Sequence, residues 1–365
     1  MRKFALLMAL TASGAFSFGA SAQQVTVAQL QDFLVQQQSA HKSDNETARL
    51  LSSAELTEQL TDSTLERFKS DFGPGAKTLT ELNLLADLSA FRDPPAPEVL
   101  RKDPPDAEAQ KTIIEASANF ATVTLGRLPD FLATRTTSSF EDVPVFTRES
   151  GFQSGMHPTG TFVREVTYRN GLEFSKDRPV APGSGQEHAD SQSSLSSAGE
   201  FGPVLATILR DSTRGKIAWD HWEQTSTEPV AVFRYEVPKS ASHYKISFCC
   251  AWNETTQSLT SYNGQPAYRG SISIEPSTGA VMRLTLVAAL EDFQPTLHFG
   301  LFVRYGKVEI GGSSLICPLR SAVILQSTRE EKGRAWNDVH VNDMSFTGYR
   351  RFGSTARVVP NAATK

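Results

Sequence analysis

The sequence predicts an α+β protein: an N-terminal helical region followed by a large curved antiparallel β-sheet, a half-barrel-like meander with one amphipathic helix packed on it. Three observations predict it. Apolar residues between positions 25 and 92 recur at spacings of three and four, the helical period. The segment 93–106, DPPAPEVLRKDPPD, holds five prolines and interrupts regular structure. Beyond residue 130 the apolar period becomes two in one segment after another, with connections too short for the helical crossovers that parallel neighbours need.

The clearest of these segments is 266–290, PAYRGSISIEPSTGAVMRLTLVAAL. Tyr268, Ile272 and Ile274 alternate with Arg269, Ser271, Ser273 and Glu275, and Met282, Leu284 and Leu286 alternate with Arg283 and Thr285. That is the pattern of a hairpin with one buried and one wet face. With Glu275 to Gly279 as the loop, Ile274 faces Ala280 and Ile272 faces Met282, which keeps both apolar sets on one side. Pro276 sets φ early in the loop and Gly279 supplies a positive φ at its end.

Taken from the start, Arg2 and Lys3, the apolar run from Phe4 to Phe18 and Ala20-Ser21-Ala22 before Gln23 read as a secretory signal peptide over residues 1–22. The expected organisation is then a helical subdomain over 23–92, a proline-rich linker over 93–106, a helix plus antiparallel β domain over 107–352 and a tail over 353–365. In the helical part Val27, Leu30, Phe33 and Leu34 follow Thr26 as N-cap. Leu56, Leu60, Leu65 and Phe68 continue to a break at Gly73-Pro74-Gly75, and Leu79, Leu82, Leu85 and Leu88 carry the last stripe. A further helix is expected over about Ala107 to Leu125, with Ile113, Ile114, Phe120 and Val123 as its apolar residues.

The β part opens after Leu128-Pro129, and Asn170-Gly171 marks a hairpin between Thr161–Tyr168 and Leu172–Ser175. The polar segment 178–197 reads as a loop. Phe201, Val204, Leu205, Ile208 and Leu209 form the apolar stripe of the one clear helix of this half. Its start is either a capping box of Ser197 with Glu200 or Pro203 at the first helical position. Strands follow near 216–223, 230–237, 243–252, 266–274, 280–290, 297–310, 314–326 and 336–352, and are expected to pair consecutively.

Charge excludes one function class. Residues 1–22 contain two of the 36 basic side chains and none of the 40 acidic ones, so the remaining chain carries a net −6, without the basic stripe a nucleic-acid partner requires. No second apolar run approaches transmembrane length. Of the three cysteines, Cys250 shares the inward parity of Tyr244, Ile246, Phe248 and Trp252, and Cys317 that of Leu315, Leu319, Val323 and Leu325. A disulfide between Cys250 and Cys317, with Cys249 left over, is the pairing expected of an oxidising compartment. The alternative is three unpaired buried thiols.

No reactive constellation emerges. The seven histidines show no metal-ligand spacing. Asp220 and His221 are neighbours on a strand and should point to opposite faces. Ser184, between two glycines, lacks the strand and helix of a nucleophile elbow. Asp338, His340 and Asp343 alternate with Val339 and Val341 as a solvated strand face does, and Cys249 has no assignable activating base. The expected catalytic residues, metal ligands and cofactors are therefore none.

Tyr268-Arg269-Gly270, Ile272, Ile274-Glu275-Pro276, Thr278-Gly279 and Arg283-Leu284 resemble the central hairpin of the outer-membrane lipoprotein carrier-like superfamily of exported bacterial proteins. The resemblance covers roughly residues 130–352 and implies a half-barrel closed by a helix, here the one near 199–211. In that superfamily the concave apolar side holds acyl chains or other hydrophobic ligands. Leu128-Pro129-Asp130-Phe131, Ala133-Thr134-Arg135-Thr136-Thr137 and Gly199-Glu200-Phe201-Gly202 are similar to a group of uncharacterised exported bacterial proteins, a likeness that carries no function. The long helical and proline-rich N-terminal third departs from the carriers, so nothing maps beyond the general apolar face.

The function expected first is a non-enzymatic exported envelope protein that holds a hydrophobic ligand or lipidated partner. Phe201, Val204, Leu205 and Ile208 would line the lid, and Phe248, Ile272, Met282 and Leu284 the sheet; for any one of these eight taken singly, plain core is the stronger reading. The second expectation is a structural or protein-interaction module of the envelope with a filled core, and the third a hydrolase whose site is assembled from distant residues.

Overall fold

The computed structural model describes residues 23–142, 145–147, 151–153, 155–175, 178–179, 199–225, 228–253, 256–290, 297–331 and 334–352. The expected signal peptide, Ser184, Ser197 and the tail lie outside these residues.

The helical part comprises β1 (Gln23–Val25), α1 (Val27–Ser39), α2 (Asp44–Leu51), β2 (Ala54–Leu56), α3 (Asp62–Phe72) and α4 (Ala76–Ser89). Thr26 caps α1 and Ser43 caps α2, each in a reciprocal capping box with Gln29 or Glu46. The break at Gly73-Pro74-Gly75 is real: Gly73 ends α3 with φ of 51°, and Gly75 precedes α4. The stripes of these helices meet in a core of their own, with Phe33, Leu51, Phe68, Leu82 and Leu85 at its centre.

Residues 93–106 are not a free linker. Leu100 donates its N–H to the Trp222 carbonyl at 3.1 Å, the Trp222 indole donates to the Asp103 carbonyl at 2.9 Å, and Lys102 sits over the Trp222 ring. The prolines, having no N–H to leave unpaired, suit a strap laid along a sheet edge. Asp106 then caps α5 (Ala107–Asn119), which ends in a π turn over Phe120–Thr124 and a short 3₁₀ turn.

The remaining elements are β3 (Phe131–Asp142), β4 (Val145–Thr147), β5 (Gly151–Gln153), β6 (His157–Arg169), β7 (Leu172–Ser175), β8 (Arg178–Pro179), α6 (Pro203–Ser212), β9 (Lys216–Glu223), β10 (Val230–Val237), β11 (Ile246–Asn253), β12 (Ser258–Gly264), β13 (Tyr268–Ile274), β14 (Val281–Leu290), β15 (Leu297–Ile310), β16 (Ser313–Glu331) and β17 (Arg334–Arg351). Eleven strands form one open antiparallel sheet in the order β8-β7-β6-β3-β17-β16-β15-β14-β13-β10-β9. The consecutive meander is corrected twice. β17 returns to pair with β3, so the two ends of the β region meet in mid-sheet. β11 and β12 leave the sheet as a separate hairpin, and β13 pairs directly with β10.

The register of the central hairpin also differs from expectation. Ile274 opposes Val281, because the loop closes one residue later with the Glu275 N–H donated to the Ala280 carbonyl, and Ile272 opposes Leu284, because a β-bulge at Met282 adds a further residue to β14. The loop itself is as expected, with Gly279 at φ of 73° and its N–H donated to the Glu275 carbonyl at 2.8 Å. A side chain at Gly279 would also strike the Ala116 backbone of α5, at 2.5 Å.

Candidate functional site

The sheet offers two faces. The inner face carries the row Phe233, Ile272, Leu284, Val303, Ser321 and Met344, each opposite the next on a neighbouring strand. Here α6 lays its stripe. Pro203 supplies the first helical residue, so of the two possible starts the proline prevails, with Gly202 as N-cap at φ of 139°. Val204, Leu205 and Ile208 are all fully buried at 0% exposure, as are Ile272 and Leu284. Phe201 lies among the rings of Phe131 and Phe346, at 5.4 and 5.1 Å between centroids. Phe248 stacks on Tyr262 at 5.9 Å. The structure thus brings seven of the eight expected lining residues into one packed cluster, and Met282, displaced by its bulge, is half-buried against it.

Cys317 is a free, buried thiol in this core; the side chain of Cys250, its expected disulfide partner, lies outside the described residues. Burial pushes the Cys317 thiol up to about 12, which keeps it in the protonated form.

The outer face is not wet, as the alternation implied, but polar and largely covered. Arg283 of β14 opposes Arg304 of β15, which opposes Arg320 of β16. Three guanidinium groups in a row would repel one another; each is held by a carboxylate. Glu223 of β9 grips Arg283 through two bonds at 2.8 and 2.6 Å. Asp62, the first residue of α3, accepts from Arg304 at 2.6 Å. Asp87 of α4 and Asp343 of β17 both accept from the same Arg320 nitrogen, at 2.6 and 2.9 Å. A recess of about 10 Å³, room for roughly one water, lies among Asp62, Asp87 and these arginines. Beside the ionic row, Leu84 packs with Phe140, Ile324 and Val341, and Ala90 with Phe302 and Ala322. The helical part therefore docks on the sheet through ion pairs flanked by a small apolar patch.

Two carboxylate–imidazole pairs are hydrogen-bonded through Nδ1, Asp220 with its chain neighbour His221 and, with no signal in the sequence, Asp211 with His243. A bulge between Val232 and Phe233 leaves Asp220 without a partner residue, so it turns to His221 and accepts from or shares a proton with Nδ1 at 2.9 Å, against the opposite-face expectation. Hydrogen bonding from His221, joined by Arg234, holds the Asp220 carboxyl down at about 2. The second pair joins Asp211, fully buried at the end of α6, to His243 Nδ1 at 2.7 Å, with the Tyr268 hydroxyl donating to the same carboxylate at 2.9 Å. Among the described residues no serine or cysteine hydrogen-bonds a histidine, and no group of acidic, His and Cys side chains is arranged to hold a metal. No described helix is long and apolar enough to cross a membrane.

No family model and no curated protein matches the chain. Among the solved structures that align with it are two of one complex. One is the complex structure of Pseudomonas aeruginosa MucA/MucB, at 11% identity over 65% of this chain and 93% of that one, with a TM-score of 0.17. The other is MucB in complex with MucA(peri), at 10% identity over 65% and 93% of the respective chains, with a TM-score of 0.16. Superpositions of that quality do not establish a shared fold.

Proposed function

We propose that the protein is a non-enzymatic, exported interaction module of the cell envelope whose sheet is filled on its inner face by its own side chains. The observation that carries this reading is the insertion of α6, with Val204, Leu205 and Ile208 at 0% exposure against Ile272 and Leu284 at 0%. These are the residues that would line a hydrophobic-ligand site, and each is in contact with its own chain. An acyl chain would need α6 to lift out, exposing apolar side chains worth about 1.5–3 kcal/mol apiece. Export is supported by the basic, apolar and Ala-Ser-Ala succession of residues 2–22.

Titration with a fluorescent fatty acid tests the proposal. The expected result is no saturable uptake at low micromolar probe. Saturable binding abolished by Leu205→Trp would restore the hydrophobic-ligand reading.

A further inference from the structure

We propose that Asp87 and Asp343, bridged by Arg320, form a proton-holding clasp that fastens the helical part to the sheet and loosens as pH rises. The geometry is a mismatch of charges across a covered seam. Arg283, Arg304 and Arg320 stand in one row. Facing them are Glu223 from β9, Asp62 from α3, Asp87 from α4 and Asp343 from β17. Three guanidinium groups thus meet four carboxylates, and the surplus one is in the Asp87–Asp343 pair, where two acids accept from a single nitrogen.

Two carboxyls that close cannot both ionise cheaply, and a shared proton turns one of them from a repelled charge into a donor. Asp87 is 3% exposed and makes its hydrogen bond to Arg320 from inside the seam. Burial raises the Asp87 carboxyl to about 8 against the pull of Arg320, with Asp343 adding to the rise. Asp343 is raised too, again first by burial and against Arg320.

The direction follows from linkage. An acid whose folded value lies above its unfolded one stabilises the docked state fully below about pH 4, and that contribution is lost as pH climbs through the folded value near 8. Because Asp87 belongs to the helical part and Asp343 and Arg320 to the sheet, the loss falls on the contact between them. Glu81, also on α4, is raised to about 7, but by burial alone, and Glu81→Gln separates its titration from that of the pair.

The experiment is a carboxyl-carbon NMR titration of the protein labelled at aspartate Cγ, read beside urea unfolding at each pH. In Glu81→Gln one carboxyl of the pair is expected to stay protonated past neutrality. Between about pH 4 and pH 8 the folded-to-unfolded ratio should then fall by up to roughly tenfold per pH unit relative to Asp343→Asn, in which one carboxylate faces Arg320 alone, and the difference should stop growing above the folded value. Both carboxyls fully ionised at about pH 6, or an unchanged slope between about pH 4 and pH 8 in Asp343→Asn, overturns the proposal. If Asp343→Asn does not fold, the carboxyl titration of Glu81→Gln decides by itself.

Discussion

The two faces of one sheet solve the burial problem in opposite ways. The inner face is closed by packing: aromatic rings and the α6 stripe interlock without needing charge. The outer face is closed by pairing: an arginine row and four carboxylates, with a small apolar patch beside them, hold a helical part that already owns a core. Packing is tolerant of pH and intolerant of lost volume; pairing is the reverse. The contrast implies that the inner face sets stability and the outer face sets how firmly the helical part is held.

Substitutions can break that contrast. The largest effect belongs to Phe201→Ala, which empties the centre of the ring cluster and should cost about 3–5 kcal/mol in urea unfolding. Next comes Arg320→Ala, which leaves Asp87 and Asp343 buried without their cation and should cost about 3 kcal/mol. Replacing Arg320, Asp87 and Asp343 together by Met, Leu and Leu should recover most of that loss. An inner-face substitution has no such rescue, and a triple variant as unstable as Arg320→Ala would show that the two faces do not differ in kind.

Smaller changes sharpen the difference. Gly300 lies under Phe91, and a methyl group there would meet the ring at 3.0 Å. Gly300→Ala should therefore loosen docking by about 1 kcal/mol, seen as faster hydrogen exchange in the helical part while the sheet strands keep their protection. Arg350→Ala removes an exposed ion pair with Glu165 and should shift unfolding by no more than about 0.5 kcal/mol.

Much of this was legible in the sequence because it is local. The Thr26 cap, the Gly73 break, the Asn170-Gly171 turn and the Gly279 loop each depend on a few adjacent residues, and each stands where the pattern put it. The α6 stripe was legible for the same reason. What was hidden depends on register. A loop closed one residue later and one bulged residue, Met282, moved the partners in the central hairpin, and a second bulge at Asp220 turned that carboxylate onto His221. The arginine row had no local signal at all: Arg283, Arg304 and Arg320 each look like an ordinary outward position on a strand, and only the pairing of β14, β15 and β16 aligns them. The return of β17 to β3 is a contact between residues far apart in the chain, which periodicity cannot reveal. The covered outer face was misread because alternation reports which side of a strand is more apolar, not whether something later packs on the other.

The most direct test of the filled inner face is native mass spectrometry of the protein purified, without detergent exchange, from its native cells. The expected spectrum shows the mass of the polypeptide alone. A stoichiometric lipid or acyl adduct that survives gentle activation would contradict it.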